Sequence, residues 1–284
     1  MEVKSNLPIE RISAHSSLFN VRIREVWRYR DLILLFVRRD FVAQYKQTIL
    51  GPLWLVLQPL LTTLTFYIIF SKIAKIPTGG VDPILFYLSG ITLWNYFSDC
   101  LTKTSNTFVA NAGIFGKVYF PRLVIPISVI LSNLIKFTVQ FVLLIGVFFV
   151  QWLRNDLTFQ GNFTLFLLPV FVLLMALMGL GLGLICSALT VKYRDLSYLL
   201  TFSVQLLMYA TPILYPLNFT QGTLRNVIAF NPLTSLFESF RYALFSTGAM
   251  DWLGMLYTGA FTLVAIVLGI LVFNRVERTF MDTV

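Results

Sequence analysis

Charged side chains make up only 12% of this 284-residue chain, against 57% hydrophobic ones. A soluble domain so composed would carry more apolar surface than it could bury. Cysteine is nearly absent: Cys100 and Cys186 both fall inside apolar runs, which excludes a disulfide framework and a thiolate metal cluster. The one histidine, His15, stands in a polar tail with no carboxylate or cysteine cluster nearby, so neither a metal centre nor His-based catalysis has the groups it needs. A phosphate-cradling loop is also missing. The nearest segment, Gly113-Ile-Phe-Gly116-Lys117-Val118, lacks both the spacing and the Ser or Thr, so the chain is not expected to hydrolyse ATP. The first 24 residues hold no apolar core of a signal peptide, and the first span is expected to act as its own insertion signal.

What is abundant is apolar sequence in long blocks, with a mean hydropathy of +0.78. Six blocks approach or exceed the ~20 residues that cross the hydrocarbon: 52–70, 83–105, 124–153, 165–191, 198–215 and 252–273, the fifth being the shortest. With the N-terminus in the cytoplasm, 16 Lys and Arg fall on the inner side. Only Lys72, Lys75, Arg154, Arg225 and Arg241 fall on the outer side. That bias sets orientation and puts both termini inside. It also accounts for the net charge of +9 without nucleic acid, through attraction to anionic headgroups. The expected architecture is an all-α integral membrane protein of six transmembrane helices. Residues 1–51 form a cytoplasmic tail and an amphipathic interface helix, and 52–284 form the transmembrane domain.

Residues 25–46 place Val26, Tyr29, Ile33, Phe36 and Val37 on one helical face, with Arg24, Arg28, Asp31, Arg38, Arg39 and Lys46 gathered on the other side. Such a helix lies in the membrane surface, as an anchor or as a lever for a cytoplasmic partner. Gly51-Pro52 breaks it and restarts the chain through the bilayer. Gly179 and Gly183 in the fourth block have the small-xxx-small spacing of close helix packing. Between the fifth and sixth blocks, residues 216–247 form neither a span nor a plain loop. Asn231-Pro232 starts a helix and Gly248 should stop it about 16 residues on, roughly 24 Å and too short to cross. This segment should re-enter the outer leaflet, with Glu238 and Arg241 paired on one face.

Polar stripes run through three spans: Trp54, Gln58, Thr62 and Thr65 in the first; Ser128, Ser132, Lys136 and Gln140 in the third; Tyr198, Thr201, Gln205 and Tyr209 in the fifth. Interhelical hydrogen bonding and the wall of a polar conduit both account for the first and fifth. Lys136 must be compensated, since an ammonium near the bilayer centre costs ~2.5–3.5 kcal/mol. Asp99 is its expected partner, with an anionic substrate as the second reading.

With these residues in place, the chain resembles the membrane permease subunits of ABC-type polysaccharide exporters, the group exporting O-antigen, capsule and teichoic acid. The likeness rests on Leu50-Gly51-Pro52-Leu53-Trp54 with Gln58-Pro59, Tyr119-Phe120-Pro121-Arg122, Tyr193-Arg194-Asp195-Leu196, and Asn231-Pro232-Leu233-Thr234 with Glu238-Ser239-Phe240-Arg241. It implies a six-span half-transporter of the bacterial inner membrane that dimerises and docks two copies of a separate ATPase subunit. ATP and magnesium would be bound by that partner, with no cofactor in this chain. The resemblance assigns coupling to Arg38, Arg39, Lys117, Tyr119, Phe120, Arg122, Arg194 and Asp195. It makes the outer re-entrant segment a gate and puts a lipid-linked polysaccharide along spans one and five. A drug or small-lipid exporter would share this topology. A polyprenyl-phosphate glycosyltransferase would need acidic residues gathered at one face, whereas Asp99, Asp195 and Glu238 are scattered.

Overall fold

The structure, a computed structural model, describes residues 23–115, 117–154, 162–193 and 195–280, and every regular element in them is helical. The amphipathic segment is two helices, α1 (Ile23–Arg28) and α2 (Arg30–Tyr45), broken at Tyr29. Val26, Ile33, Phe36 and Val37 are buried in a cluster with Phe108, Phe115, Phe120 and Phe273. The other side is not only charged: Trp27, Leu34, Leu35 and Val42 are exposed there, as suits a helix half sunk among headgroups.

A turn at Gly51–Leu53, with Gly51 at φ +51°, leads into α3 (Trp54–Phe66), which a π-helical segment extends over Tyr67–Ile73. Next, α4 (Pro83–Ser105) starts where the expected second block does. Asp82 caps it by accepting from the Ile84 and Leu85 amides at 2.9 and 3.2 Å, and takes a third bond, 3.0 Å, from Gln151 Nε2. Helix α4 is the axis of the bundle. Almost every side chain from Leu85 to Leu101 is buried, packed against α3 and the later helices. The first half of the segment between the second and third blocks is helical, as α5 (Thr107–Phe115), kinked at Asn111. Then come α6 (Val124–Leu153), α7 (Leu168–Lys192) and α8 (Leu196–Tyr209). The chain ends with α9 (Gly222–Phe230), α10 (Pro232–Phe245) and α11 (Trp252–Phe280).

The glycines of α7 serve two neighbours rather than one. A Cβ on Gly179 or Gly183 would stand 2.8 Å from Cys100 Cβ or 2.6 Å from Thr104 Cβ, both on α4. A Cβ on Gly181, on the other face, would meet the Ala265 carbonyl carbon of α11 at 2.7 Å. These close approaches let α7 lie between α4 and α11 backbone to backbone.

Among the described residues, four helical stretches are long and apolar enough to cross a membrane: Gly51–Ile73, Val124–Leu153, Phe163–Lys192 and Trp252–Val276. Helix α4 has the length, 23 residues, yet carries Asp99 and Lys103 and is enclosed by its neighbours. Helix α8 has 14 residues and spans ~21 Å. The expected fifth block, 198–215, therefore breaks at Ala210. Pro212 follows, which has no amide to donate and disfavours helix in the residue before it. Helix α10 is capped by Asn231 and opened by Pro232 as expected, but it stops at Ser246 (φ +57°), whose amide bonds the Tyr242 carbonyl, two residues before Gly248.

Candidate functional site

Among the described residues, the polar stripes of α3 and α8 are uncovered. Helix α3 buries only Leu55, Pro59 and Thr63, while α8 buries only Val204. Trp54, Gln58 and Thr65 of the first stripe are exposed, and Thr62 is half-buried. On α8, Tyr198 (82% exposed), Thr201, Gln205 and Tyr209 all face outward. The threonine hydroxyls do not reach across to other helices. Thr62 donates to the Gln58 carbonyl at 3.0 Å, Thr65 to Leu61 at 2.9 Å, and Thr201 to Ser197 at 2.9 Å. Among the described residues, these three hydroxyls are thus spent within their own helices. Both helices pack on α4, which holds two polar and aromatic faces open on one scaffold.

The third stripe behaves differently. Ser128 and Gln140 of α6 are buried, and Lys136 Nζ lies 2.6 Å from Asp99 Oδ2 of α4. Lys103 sits 3.9 Å from the same carboxylate oxygen and donates to Asn133 Oδ1 at 3.0 Å. An ion pair inside the bundle offsets the cost of desolvating each partner. Tyr45, at the end of α2, has its phenol pushed up to about 12, first by burial and then by the Asp99 charge.

On the far side of α4, Arg241 of α10 is buried, with 4% of its side chain exposed. Its Nη1 donates to the Pro212 carbonyl, and its Nη2 donates to the carbonyls of Ile213 at 3.0 Å and Phe86 at 3.4 Å. The guanidinium stands 3.6 Å from the Phe86 ring centroid. Glu238 is 3.8 Å away and accepts from the Leu217 amide at 3.4 Å. The two residues share a face of α10, but the main partners of the arginine are carbonyls of the segment that follows α8. Asn231 adds a second tie to it through Nδ2, donating to the Ala210 carbonyl at 3.2 Å and Thr211 Oγ1 at 3.0 Å.

The residues assigned to coupling fall into two groups. Arg38, Lys117, Tyr119 and Asp195 are exposed. Arg39 is half-buried, 2.7 Å from Asp40 and 4.6 Å from the Phe36 ring centroid. Phe120 is buried, its centroid 5.7 Å from Phe36 and 5.8 Å from Phe115, so it clamps the turn against α2. Arg122 rests 5.4 Å from the Phe115 ring centroid. Arg194 lies outside the described residues.

Residues 31–245 match the ABC-2 type transporter family. The chain belongs to that family. It is similar to an O-antigen export system permease protein, RfbA, of Klebsiella pneumoniae, at 29% identity over 89% of this chain and 94% of that one. A protein of the same name from Myxococcus xanthus is 30% identical over 77% of this chain and 82% of its own length. The polysialic acid transport protein KpsM of Escherichia coli is 23% identical over 86% and 93%.

In this ABC-2 chain the residue that sequence reasoning passed over is Gly90. A Cβ there would stand 2.8 Å from Arg241 Nη2 and 3.1 Å from Ile213 Cγ2, so the missing side chain makes the space for the guanidinium. An isolated glycine inside an apolar helix was the available signal. Its partner is 151 positions away in sequence and leaves no periodic trace.

Proposed function

We propose that this chain is the membrane permease of an ATP-driven exporter that moves a lipid-linked polysaccharide across the bacterial inner membrane. It works as a homodimer with two copies of a separate cytoplasmic ATPase subunit, which binds ATP and magnesium. The observation that carries this reading is the pair of uncovered stripes on α3 and α8, in a chain whose relatives bear names of O-antigen export and polysialic acid transport. Ring faces such as those of Trp54, Tyr198 and Tyr209 stack on sugars while tolerating differences in hydroxyl pattern. The exposed amides and hydroxyls of Gln58, Gln205 and Thr65 exchange hydrogen bonds with the glycan.

In this reading α4 and α8 complete six spans, and both termini lie in the cytoplasm. Residues 210–216 carry α8 across the remaining depth. Their irregular backbone is compatible with the membrane because Thr211, Pro212, Ile213 and Leu214 are enclosed by protein. Helices α9 and α10 form the re-entrant segment that gates the outer end. Deleting the chain in its host should abolish surface polysaccharide while lipid-linked polymer accumulates on the cytoplasmic face. Unchanged surface polysaccharide, or loss of polymer synthesis itself, would contradict the assignment.

The exposed Lys117 and Arg38 give the ATPase a cationic surface, with Tyr119 and Asp195 beside it in function. Reversing Lys117 to Glu should weaken co-purification of the ATPase subunit about tenfold, since a like-charge contact in an interface costs on the order of 1.4 kcal/mol or more. Insertion and thermal stability should not change, because the side chain is exposed. Full ATPase association in a Lys117→Glu, Arg38→Glu double variant would reduce the turn to a connector.

A further inference from the structure

A polar cleft runs between α2, α4 and α6. One chamber of about 370 Å³ is lined by Asp40 and Phe41 of α2, Lys103 of α4, and Ser132, Asn133 and Lys136 of α6. A second, about 430 Å³, shares Asp40 and Lys103 with it and adds Arg39, Asn106 and Asn111. Arg39, Lys103 and Lys136 thus face two carboxylates, Asp40 and Asp99, and the cleft keeps one positive charge in excess.

Both carboxylates already have a cation of the cleft as partner. Asp40 Oδ1 is held 2.7 Å from an Arg39 amino group, and Asp99 Oδ2 is 2.6 Å from Lys136 Nζ. Lys103 is not fully used. It reaches Asn133 at 3.0 Å and Asp99 only at 3.9 Å, and its side chain is 41% exposed. On the facing wall Ser132 Oγ is enclosed and has no hydrogen-bond partner among the described residues. A buried hydroxyl left unsatisfied is costly, and an ammonium with spare donors beside it suits a phosphate oxygen. The cleft also has a lipid-like address. Phe41, Ile125 and Val129 give it apolar walls, and α2 beside it exposes Trp27, Leu34 and Leu35. Lys103 stands two residues from the end of α4, and Ser132 eight residues into α6, which is ~12 Å along that helix.

We propose that this cleft binds the phosphate of a membrane lipid from the leaflet on which α2 lies, with Lys103 as its counter-ion and Ser132 as its hydrogen-bond donor. The lipid bridges α2 to α4 and α6 and sets the seat of the surface helix on the bundle. Two lipid chemistries carry such a phosphate: an anionic glycerophospholipid and a polyprenyl diphosphate. This inference concerns binding alone and stands whether or not the chain exports a polysaccharide.

The test uses the full chain in phosphatidylcholine nanodiscs doped with phosphatidylglycerol or with undecaprenyl diphosphate, with retained lipid counted by native mass spectrometry after release. One doped lipid per protomer should be retained. Lys103→Gln should lower its apparent affinity about tenfold and Ser132→Ala about threefold, while Lys103→Arg keeps it near wild type. Thermal unfolding of each variant separates loss of the site from loss of the fold, and Ser132→Ala, which removes a single oxygen, keeps the question open should Lys103→Gln fail to fold. Retention of phosphatidylglycerol assigns a resident phospholipid, and retention of undecaprenyl diphosphate alone assigns a carrier lipid. Equal retention by wild type and folded variants, or retention of neither doped lipid, would overturn the proposal.

Discussion

Arg241→Ala should destabilise the protein by about 3–5 kcal/mol, the scale for removing one member of a buried charged network. The substitution leaves the carbonyls of Pro212, Ile213 and Phe86 without their donor and Glu238 without its cation. It also strips the guanidinium from the Phe86 ring. Arg241→Lys should recover little, because an ammonium lacks the planar fork that reaches these carbonyls while stacking on an aromatic face. Gly90→Ala should reproduce part of the loss from the opposite side, since the added methyl intrudes on Nη2. The check is thermal unfolding of the detergent-solubilised chain with its membrane level. Wild-type melting of Arg241→Ala would show that the segment after α8 holds itself in place without this arginine.

The second large effect concerns transport rather than stability. Replacing Trp54 and Tyr209 together by Ala should reduce export at least tenfold while membrane abundance changes little. Ring stacking is worth ~0.5–1.5 kcal/mol per contact, so two lost rings reach a factor of ten. Stability should fall far less than for a buried aromatic, whose truncation costs ~3–5 kcal/mol, because both side chains are exposed. The readout is surface polysaccharide divided by embedded permease. Activity that simply follows abundance would assign the two stripes to packing between protomers.

The sequence made local and periodic features legible. The apolar face of α2, the Gly51-Pro52 restart, the limits of α4 and α6, and the Asn231-Pro232 cap all follow from residues within a turn or two of one another. The small-xxx-small pair at Gly179 and Gly183 was readable, while the second face of α7, at Gly181, depends on where α11 passes. The fifth block reads as one 18-residue span because the buried Ile213 and Leu214 prolong its hydropathy beyond the helix; only the missing amide of Pro212 hints that the helix stops before them. Helix α4 carries charges that lower its hydropathy, and its enclosure by neighbouring helices is a property of the assembled bundle.

Among the site residues, exposure separated what spacing could not. Tyr119 and Phe120 are adjacent aromatics with the same apparent standing in sequence. One is exposed, and the other is clamped beneath α2. The stripes of α3, α6 and α8 share one periodicity, yet the α6 stripe turns inward to Asp99 and the other two remain uncovered. Periodicity identifies a face, and only the neighbours decide what that face meets.

A photo-crosslinking residue placed at Tyr209 or Trp54, in proteoliposomes holding the permease, its ATPase subunit and a lipid-linked polysaccharide, tests the account most directly. Capture of the glycan is expected from both positions, dependent on ATP, and none from an exposed apolar control at Val142 of α6. Capture at Val142 equal to that at Tyr209, or none at either stripe while transport proceeds, would place the path elsewhere and contradict the account.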